Sequence, residues 1–140
     1  MSTRAERYTQ LQKVPELFSD FTNDLTPHPI TNDVIRSRDD QSIKQSLKNL
    51  VFTFNGERPF QSRIGSAVSR ALFEINDDLM IQELTDTITE TITNNEPRVA
   101  LNRVTVVPRP DNYSVDISIL YTIINSRIPE SLDIVLRRVR

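Results

Sequence analysis

Cysteine and tryptophan are missing from this sequence, glycine occurs twice and histidine once. Without cysteine the chain can form no disulfide, no thiolate nucleophile and no cysteine-ligated metal centre. Two isolated glycines, Gly56 and Gly65, cannot build the glycine-rich loop that holds phosphates, so no nucleotide-binding motif is present. His28 stands between two prolines with no second histidine to complete a catalytic site. We therefore predict that His28 is a surface residue.

Long apolar runs are missing as well, because no stretch reaches the roughly 18 apolar residues that a membrane-spanning helix needs. The polar N-terminus also lacks the apolar segment of a secretory signal. The net charge of −2 over 140 residues gives no general attraction to nucleic acid. We expect no membrane, nucleic acid, cofactor or metal among the partners of this chain.

Positive charge is absent locally, since residues 71–97 contain no lysine or arginine. The same stretch carries seven carboxylates: Glu74, Asp77, Asp78, Glu83, Asp86, Glu90 and Glu96. A solvated acidic face is the ordinary interpretation of such a run, and docking onto a basic partner surface is the alternative. The C-terminal end is basic, with Arg137, Arg138 and Arg140.

The N-terminal third has few regular patterns. Residues 1–16 are predicted to be an extension, and a single domain is predicted for residues 17–140. Phe18 and Phe21 indicate a short strand or turn against the core. Residues 25–40 are rich in proline, asparagine and aspartate and predict a loop, with a brief strand at Val34-Ile35.

Apolar residues at helical spacing predict a helix that begins near Asp39-Asp40, with Asp40 or Ser42 as its N-cap. Its buried face would contain Ile43, Leu47, Leu50 and Val51. The following Asn55-Gly56 is typical of a hairpin turn, but it also ends helices. We favour a helix end and a loop, because Pro59 would interrupt a returning strand.

Two more helices are predicted before the strands begin. Residues 66–73 indicate a short helix with Val68 inward. Residues 78–95 indicate a long helix, because Ile81, Leu84, Ile88 and Ile92 recur at helical spacing. Threonines alternate at period two from Thr85 to Thr93, which could indicate a strand, but the apolar spacing favours the helix.

The last third predicts a β-sheet. Val99, Leu101, Val104 and Val106 form one strand, and the turn at residues 108–112 leads into a second in which Tyr113, Val115, Ile117, Ile119, Tyr121 and Ile123 share a face. Residues 131–139 alternate again and predict a third strand at the sheet edge, where unpaired backbone groups must be protected or used. The expected fold is α+β, with helices packed on one face of a small three-stranded antiparallel sheet.

Glu96-Pro97-Arg98 marks the boundary between the long helix and the strands. Pro97 has no amide hydrogen and disfavours helical backbone in the residue before it. A carboxylate at a helix C-terminus faces the negative end of the helix dipole, at a cost of about 0.3–1 kcal/mol. Arg98 or a partner's cation would offset that cost, so an internal ion pair and a partner-binding charge are both open. We predict that Arg98→Ala mainly loses partner binding while the isolated domain melts almost unchanged, whereas a large fall in melting temperature with binding intact would favour the internal ion pair.

Catalysis would have to use paired carboxylates, as in glycoside hydrolysis, and Glu57, Glu74, Glu90 and Glu96 are the candidates. A chain with 19 acidic residues offers such pairs by chance. Sugar-binding sites also favour aromatic platforms, and this chain has no tryptophan and three tyrosines. We predict that the protein is not an enzyme, with a peptidoglycan hydrolase as the disfavoured alternative.

A series of short motifs in order resembles the baseplate wedge proteins of contractile-tailed phages. That family also contains the sheath-initiator subunits of type VI secretion and related injection machines. The motifs are residues 42–50, Gly56-Glu57-Arg58-Pro59-Phe60, Gly65, Leu72-Phe73-Glu74 and Glu96-Pro97-Arg98. The similarity covers residues 20–124 and favours the phage branch, with a type VI or related sheath initiator as the alternative.

The resemblance implies structural work in the tail baseplate of a virion assembled in the host cytoplasm. Six copies would ring the tail tube, one in each wedge. Glu96, Pro97 and Arg98 would bind the helical core bundle of the wedge scaffold proteins. The C-terminal strand would join strands of the tail sheath protein and start sheath assembly. The residues near the sheath contact would be Leu132, Ile134, Leu136, Arg137 and Arg138.

Overall fold

The computed structural model describes residues 18–66, 68, 78–124, 126 and 128–137. The described residues belong to two compact units, divided between Ser42 and Ile43. The predicted extension at residues 1–16 lies outside the described residues, as does the predicted helix at residues 66–73 apart from Ser66 and the buried Val68. A single domain from residue 17 onward stays a prediction.

The first unit contains a two-stranded antiparallel ribbon of β1 (Ser19–Phe21) and β2 (Arg36–Arg38). β2 lies within the stretch that the sequence predicted as a loop, one residue beyond the brief strand expected at Val34-Ile35, so that prediction is wrong here. Arg-Ser-Arg has no apolar alternation for a periodicity argument to detect. Its strand character comes from pairing with β1, which only the folded chain brings alongside.

Helix α1 (Asp39–Phe52) begins where the sequence predicted. Its apolar face is buried as expected, with Ile43, Leu47, Leu50 and Val51 at most 6% exposed. Ser42 lies in the first turn, and its hydroxyl donates a hydrogen bond of 2.7 Å to Oδ2 of Asp20.

A loop follows α1, so the helix-end interpretation of Asn55-Gly56 is confirmed and the hairpin is wrong. Gly56 has φ +85°, a left-handed conformation that favours glycine, and its amide donates to the carbonyl of Ser62. Gly65 has φ +150° and packs tightly against the backbone of Phe54.

Helix α2 (Asp78–Asn95) confirms the helix prediction over the strand alternative. Its buried residues are Met80, Leu84, Ile88, Thr91 and Ile92. The alternating threonines are compatible with a helix because their hydroxyls donate to the carbonyls four residues earlier; these are Thr85, Thr87, Thr89 and Thr93. Thr91 is the exception, since it donates to the carbonyl of Gly65 at 2.8 Å.

The second unit also contains an antiparallel sheet in the order β3-β4-β5, formed by β3 (Val99–Arg109), β4 (Ser114–Ile123) and β5 (Pro129–Arg137). A short 3₁₀ turn, Pro110–Asn112, joins the first two strands. The apolar residues on one face of β4 are at most 7% exposed: Val115, Ile117, Ile119, Tyr121 and Ile123. The α+β prediction is confirmed. Tyr113 is 53% exposed with φ +47°, so its predicted inward position is wrong.

A β-bulge interrupts β3 at Asn102. Leu101 pairs with Tyr121 and Arg103 with Leu120, so two residues of β3 oppose one of β4. The bulge changes which residues face inward: Val99 and Leu101 before it, then Val104 and Val106 after it.

Candidate protein-binding site

The corner between α2 and β3 contains Glu96-Pro97-Arg98. The amide of Glu96 still donates to the carbonyl of Ile92 at 2.9 Å, which extends the helical hydrogen bonding by one residue. Pro97 cannot continue this pattern, and β3 begins two residues later at Val99. Pro97 is exposed, whereas the residues on either side of it are not.

Glu96 and Arg98 form a bidentate ion pair within the fold. Nε of Arg98 lies 2.6 Å from Oε1 of Glu96, and Nη2 lies 2.8 Å from Oε2. The hydroxyl of Ser46 on α1 donates to the same Oε2 at 2.5 Å. Side-chain exposure is only 3% for Glu96 and 24% for Arg98. The carboxylate of Glu96 is therefore buried and bonded to Arg98 and Ser46. The surface of the corner is formed by Pro97 and part of Arg98.

Three effects act on the carboxyl group of Glu96. Burial is the largest, and by itself it would raise the pKa because an ion is poorly solvated away from water. The hydrogen bonds from Arg98 and Ser46, together with the positive charge of Arg98, outweigh burial and hold the pKa below its ordinary value of 4.5. Glu96 is therefore ionised at neutral pH, and Arg98 offsets the unfavourable helix dipole.

This lowered pKa predicts how acid affects stability. Because the folded-state pKa lies below the unfolded value, the carboxylate contributes its full stability above about pH 4.5 and loses it as the pH falls through the lower folded-state pKa. Urea unfolding from pH 7 to pH 3 should show wild type losing its advantage over Glu96→Gln in that acidic window. The exposed Asp111→Asn is the control and should follow wild type. Parallel profiles for wild type and Glu96→Gln would contradict the prediction.

Ser46 is the part of this corner that sequence reasoning missed. It lies 50 residues before Glu96 in the chain, so no local pattern connects the two. One signal was available: Ser46 is a small polar residue at the border of the apolar face formed by Ile43, Leu47 and Leu50. A polar side chain at the border of a buried helix face requires a polar partner nearby.

The second predicted site is β5. Ile134 and Leu136 are 5% and 6% exposed and Leu132 is half-buried, so these side chains pack mainly against the interior of their unit. Arg137 is exposed, and Arg138 lies outside the described residues. A protein that bound here would therefore meet the backbone edge of β5 and its outward side chains.

The two edge strands of the sheet differ in how well they could accept another strand. β3 contains the bulge at Asn102 and has Pro108 within the strand, both of which oppose edge pairing. β5 pairs with β4 in unbroken register from Pro129 to Arg137, and among the described residues no strand pairs with its other side. Its only proline is the first residue of the strand. β5 is therefore the edge strand better able to accept a strand from a partner.

An ion pair connects the start of β5 to α1. Nζ of Lys44 lies 2.9 Å from Oε2 of Glu130, and the hydroxyl of the buried Tyr121 lies 3.5 Å from the same oxygen. These contacts, with the buried side chains of β5, hold the strand against the rest of its unit.

A polar cleft of about 440 Å³ lies between the loop after α1 and the end of α2. Its lining includes one carboxylate, Glu90, together with Arg63 and three asparagines. Of the other glutamates considered for catalysis, Glu96 is bound to Arg98, Glu57 accepts the amide of Phe54, and Glu74 lies outside the described residues. Within the described ranges the cleft therefore presents no facing pair of carboxylates.

The described part of the chain has no group of three or more histidine, cysteine, aspartate or glutamate residues that could hold a metal ion. Neither α1 nor α2 is long and apolar enough to cross a membrane.

Comparison of the sequence with known proteins gives a consistent result. Residues 37–127 match the family described as baseplate wedge protein gp25. The baseplate wedge protein gp25 of Enterobacteria phage T4 is 34% identical over 94 residues, which cover 67% of this chain and 71% of that protein. The matched region contains α1, α2, β3 and β4.

Two solved structures have a similar fold. A protein of Geobacter sulfurreducens named as a tail lysozyme has a TM-score of 0.60 and 21% identity, covering 70% of this chain and 89% of its own. A chain of the six-fold symmetrised baseplate of the anti-feeding prophage has a TM-score of 0.59 and 21% identity, covering 84% and 83%. At this level of identity the similarity supports the fold alone.

Proposed function

Because this chain belongs to the gp25 family of baseplate wedge proteins, we propose that it is a non-catalytic subunit that joins the wedge scaffold and starts tail sheath assembly. As a member of the family it is a component of a tail baseplate. The proposal adds two contacts. The corner after α2 docks on the wedge core bundle, and the outer edge of β5 accepts a strand of the sheath protein, with six copies in each particle.

The outer edge of β5 supports the sheath contact, because among the described residues no strand pairs with it. A partner strand added to this edge would gain main-chain hydrogen bonds along up to nine residues. The buried Ile134 and Leu136 and the Lys44–Glu130 ion pair keep the edge in place before binding, which lowers the entropy cost of association. Each strand contact would be weak by itself, but the six copies in one ring would bind the sheath together, because the first contact raises the effective concentration of the others.

At the corner, the internal ion pair supports a positioning role for Glu96. Its carboxylate holds the guanidinium of Arg98 by two hydrogen bonds, so the orientation of Arg98 is fixed beside the exposed Pro97. In this proposal the wedge bundle contacts Pro97 and the accessible part of Arg98. Glu96 does not contact the bundle, but it fixes the orientation of Arg98.

A proline in β5 tests the sheath contact. Successive amides of a strand point to opposite edges, so proline at one of the neighbouring positions Leu132 and Asp133 removes an outward amide and spares the pairing with β4. The melting temperatures of Leu132→Pro and Asp133→Pro show which of the two substitutions spares the pairing with β4. That variant should enter baseplates and fail to start sheath assembly. Sheath growth is measured by electron microscopy of assembled particles.

Proline substitution is a sharper test than deletion of residues 131–140. A deletion would remove Ile134 and Leu136 from the core, so loss of sheath could simply reflect unfolding. The control is the exposed Val135→Thr, which keeps the amide and should support normal sheath growth. If the folded proline variant starts sheath as wild type does, strand addition at β5 is wrong.

A second candidate is a related injection system with the same mechanics. The observation that favours it is the fold shared with the anti-feeding prophage baseplate over 84% of this chain. The two candidates differ in the particle that contains the protein, so mass spectrometry of purified particles separates a phage with a packaged genome from a genome-free injection machine.

A further inference from the structure

Phe60 is the most exposed large apolar side chain in the described part of the protein, at 99%. It lies in the loop between α1 and Gly65, where Phe54 is also about half exposed. A phenylalanine that buries no area contributes almost nothing to folding, since apolar stabilisation follows the area removed from water. Single exposed apolar residues are ordinary on protein surfaces, but this loop exposes both Phe54 and Phe60, and apolar exposure that is grouped in this way marks an interaction site.

The loop that carries Phe60 has a defined conformation. The amide of Gly56 donates to the carbonyl of Ser62 at 3.1 Å and so closes the loop at its base. The amide of Phe54 donates to Oε2 of Glu57 at 2.9 Å, and Gln61 donates to the carbonyl of Arg58 at 3.2 Å. Pro59 further restricts the backbone beside Phe60. The side chain is thus presented on an ordered loop, which reduces the entropy cost of binding.

The charges around Phe60 indicate the chemistry of its partner. Arg58 and Arg63 are exposed, and the single carboxylate of residues 54–64, Glu57, accepts a hydrogen bond from the loop itself. The loop therefore has a net charge of +1 in a chain whose net charge is −2. Arginine and aromatic residues, phenylalanine included, are also enriched at protein interfaces relative to the rest of the surface.

We propose that the segment 54–64, called here the Phe60 loop, is a third docking surface, on which Phe60 enters an apolar pocket bordered by carboxylates on a different protein subunit of the assembly. The acidic border pairs with Arg58 and Arg63, and the pocket buries the ring. The proposal rests on the function proposed above, because it requires the chain to work inside a multi-subunit assembly. It involves neither β5 nor the corner after α2.

Photo-cross-linking in assembled particles tests this contact. A photoreactive phenylalanine analogue at position 60 should cross-link to one other subunit, in a peptide that contains both apolar and acidic residues. The same analogue at Asp133 on β5 probes the sheath contact in parallel. A cross-link at 133 without one at 60 overturns the Phe60 proposal and leaves the proposed function intact, and the reverse pattern overturns β5 addition alone.

Competitive incorporation measures the strength of the contact. Phe60→Ser, co-expressed with wild type, should be under-represented in particles by about tenfold or more, while its melting temperature is unchanged. Arg58→Glu should show a similar loss through charge repulsion. The matched control is Ile30→Ser, an 85% exposed apolar residue in the first unit, which should incorporate normally.

Other results would overturn the proposal. Incorporation of Phe60→Ser or Arg58→Glu equal to that of wild type would show that the loop binds nothing. A cross-link from position 60 to another copy of this chain, or to a peptide without carboxylates, would assign the loop to a different partner from the one proposed.

Discussion

Arg98→Ala should lower the free energy of unfolding by about 3–5 kcal/mol, because it leaves the buried carboxylate of Glu96 without its counter-ion. The carboxylate would keep the hydrogen bonds from the Ser46 hydroxyl and from the backbone amide of residue 98, but neither donor carries a compensating charge. An exposed pair would cost about 0–1 kcal/mol, so the 3% exposure of Glu96 decides between the two expectations. Thermal unfolding should show a fall in Tm of roughly 10–20 °C. This expected fall replaces the prediction from the sequence, which was that the melting temperature of Arg98→Ala hardly changes.

Controls separate the ion pair from general effects of losing an arginine. Arg103→Ala, on the exposed side of β3, should change stability by no more than about 0.5 kcal/mol. The triple variant Ser46→Ala/Glu96→Leu/Arg98→Met removes every member of the cluster and should recover most of the stability. An unchanged Tm for Arg98→Ala would contradict the ion-pair interpretation.

The triple variant also tests the partner role of the corner. It is expected to fold, but it lacks the guanidinium that the wedge scaffold would contact. Reduced incorporation into wedges with a near-normal Tm would support the docking proposal, whereas normal incorporation would limit Glu96 and Arg98 to a structural role. The comparison works because stability and binding are measured on the same folded protein.

Gly65→Ala should be the more damaging of the two possible glycine substitutions, at about 3–4 kcal/mol. A Cβ at this position would lie 2.6 Å from the carbonyl carbon of Phe54 and 2.7 Å from the amide nitrogen of Asn55. These are backbone atoms, so they cannot move aside as a flexible side chain could. A shift at Gly65 would also disturb the hydrogen bond from Thr91 to its carbonyl.

Gly56→Ala is the matched control. Gly56 has φ +85°, so alanine is strained there too, but no atom lies within 4 Å of the added Cβ. The cost should be about 1–2 kcal/mol, the ordinary penalty for left-handed backbone at a residue with a Cβ. Urea unfolding of both variants measures the difference. Equal destabilisation would mean that the close approach at Gly65 does not contribute.

Regular elements with a strong apolar period were predictable from the sequence. Both helices agree with their apolar spacing, and in α2 that spacing correctly outweighed the alternating threonines because a threonine hydroxyl can bond within its own helix. The β-bulge had a readable signal as well, since the inward positions of β3 change from odd to even numbers at Asn102. A strand keeps a period of two unless a residue is inserted.

The candidate sites were only partly predictable. The residues of the corner and of β5 could be selected from their motifs and alternation, but not their surroundings. Whether Glu96 faces water or the core depends on α1, whose Ser46 approaches it from 50 residues away in the chain. The inward direction of Ile134 and Leu136 follows from their pairing with β4, which fixes the face that each side chain occupies.

The sequence by itself determined the class of fold, the absence of thiol and phosphate-loop chemistry, and the position of the break after α2, because these depend on composition and on short-range backbone preferences. The tertiary structure alone decided that β2 pairs with β1, that Gly65 lies against the backbone of Phe54 and that the charge of Glu96 is neutralised inside the fold. The first two involve residues that are distant in the chain, and the third depends on the burial of Glu96 and on its hydrogen bond from Ser46, so all three arise only when the chain has folded.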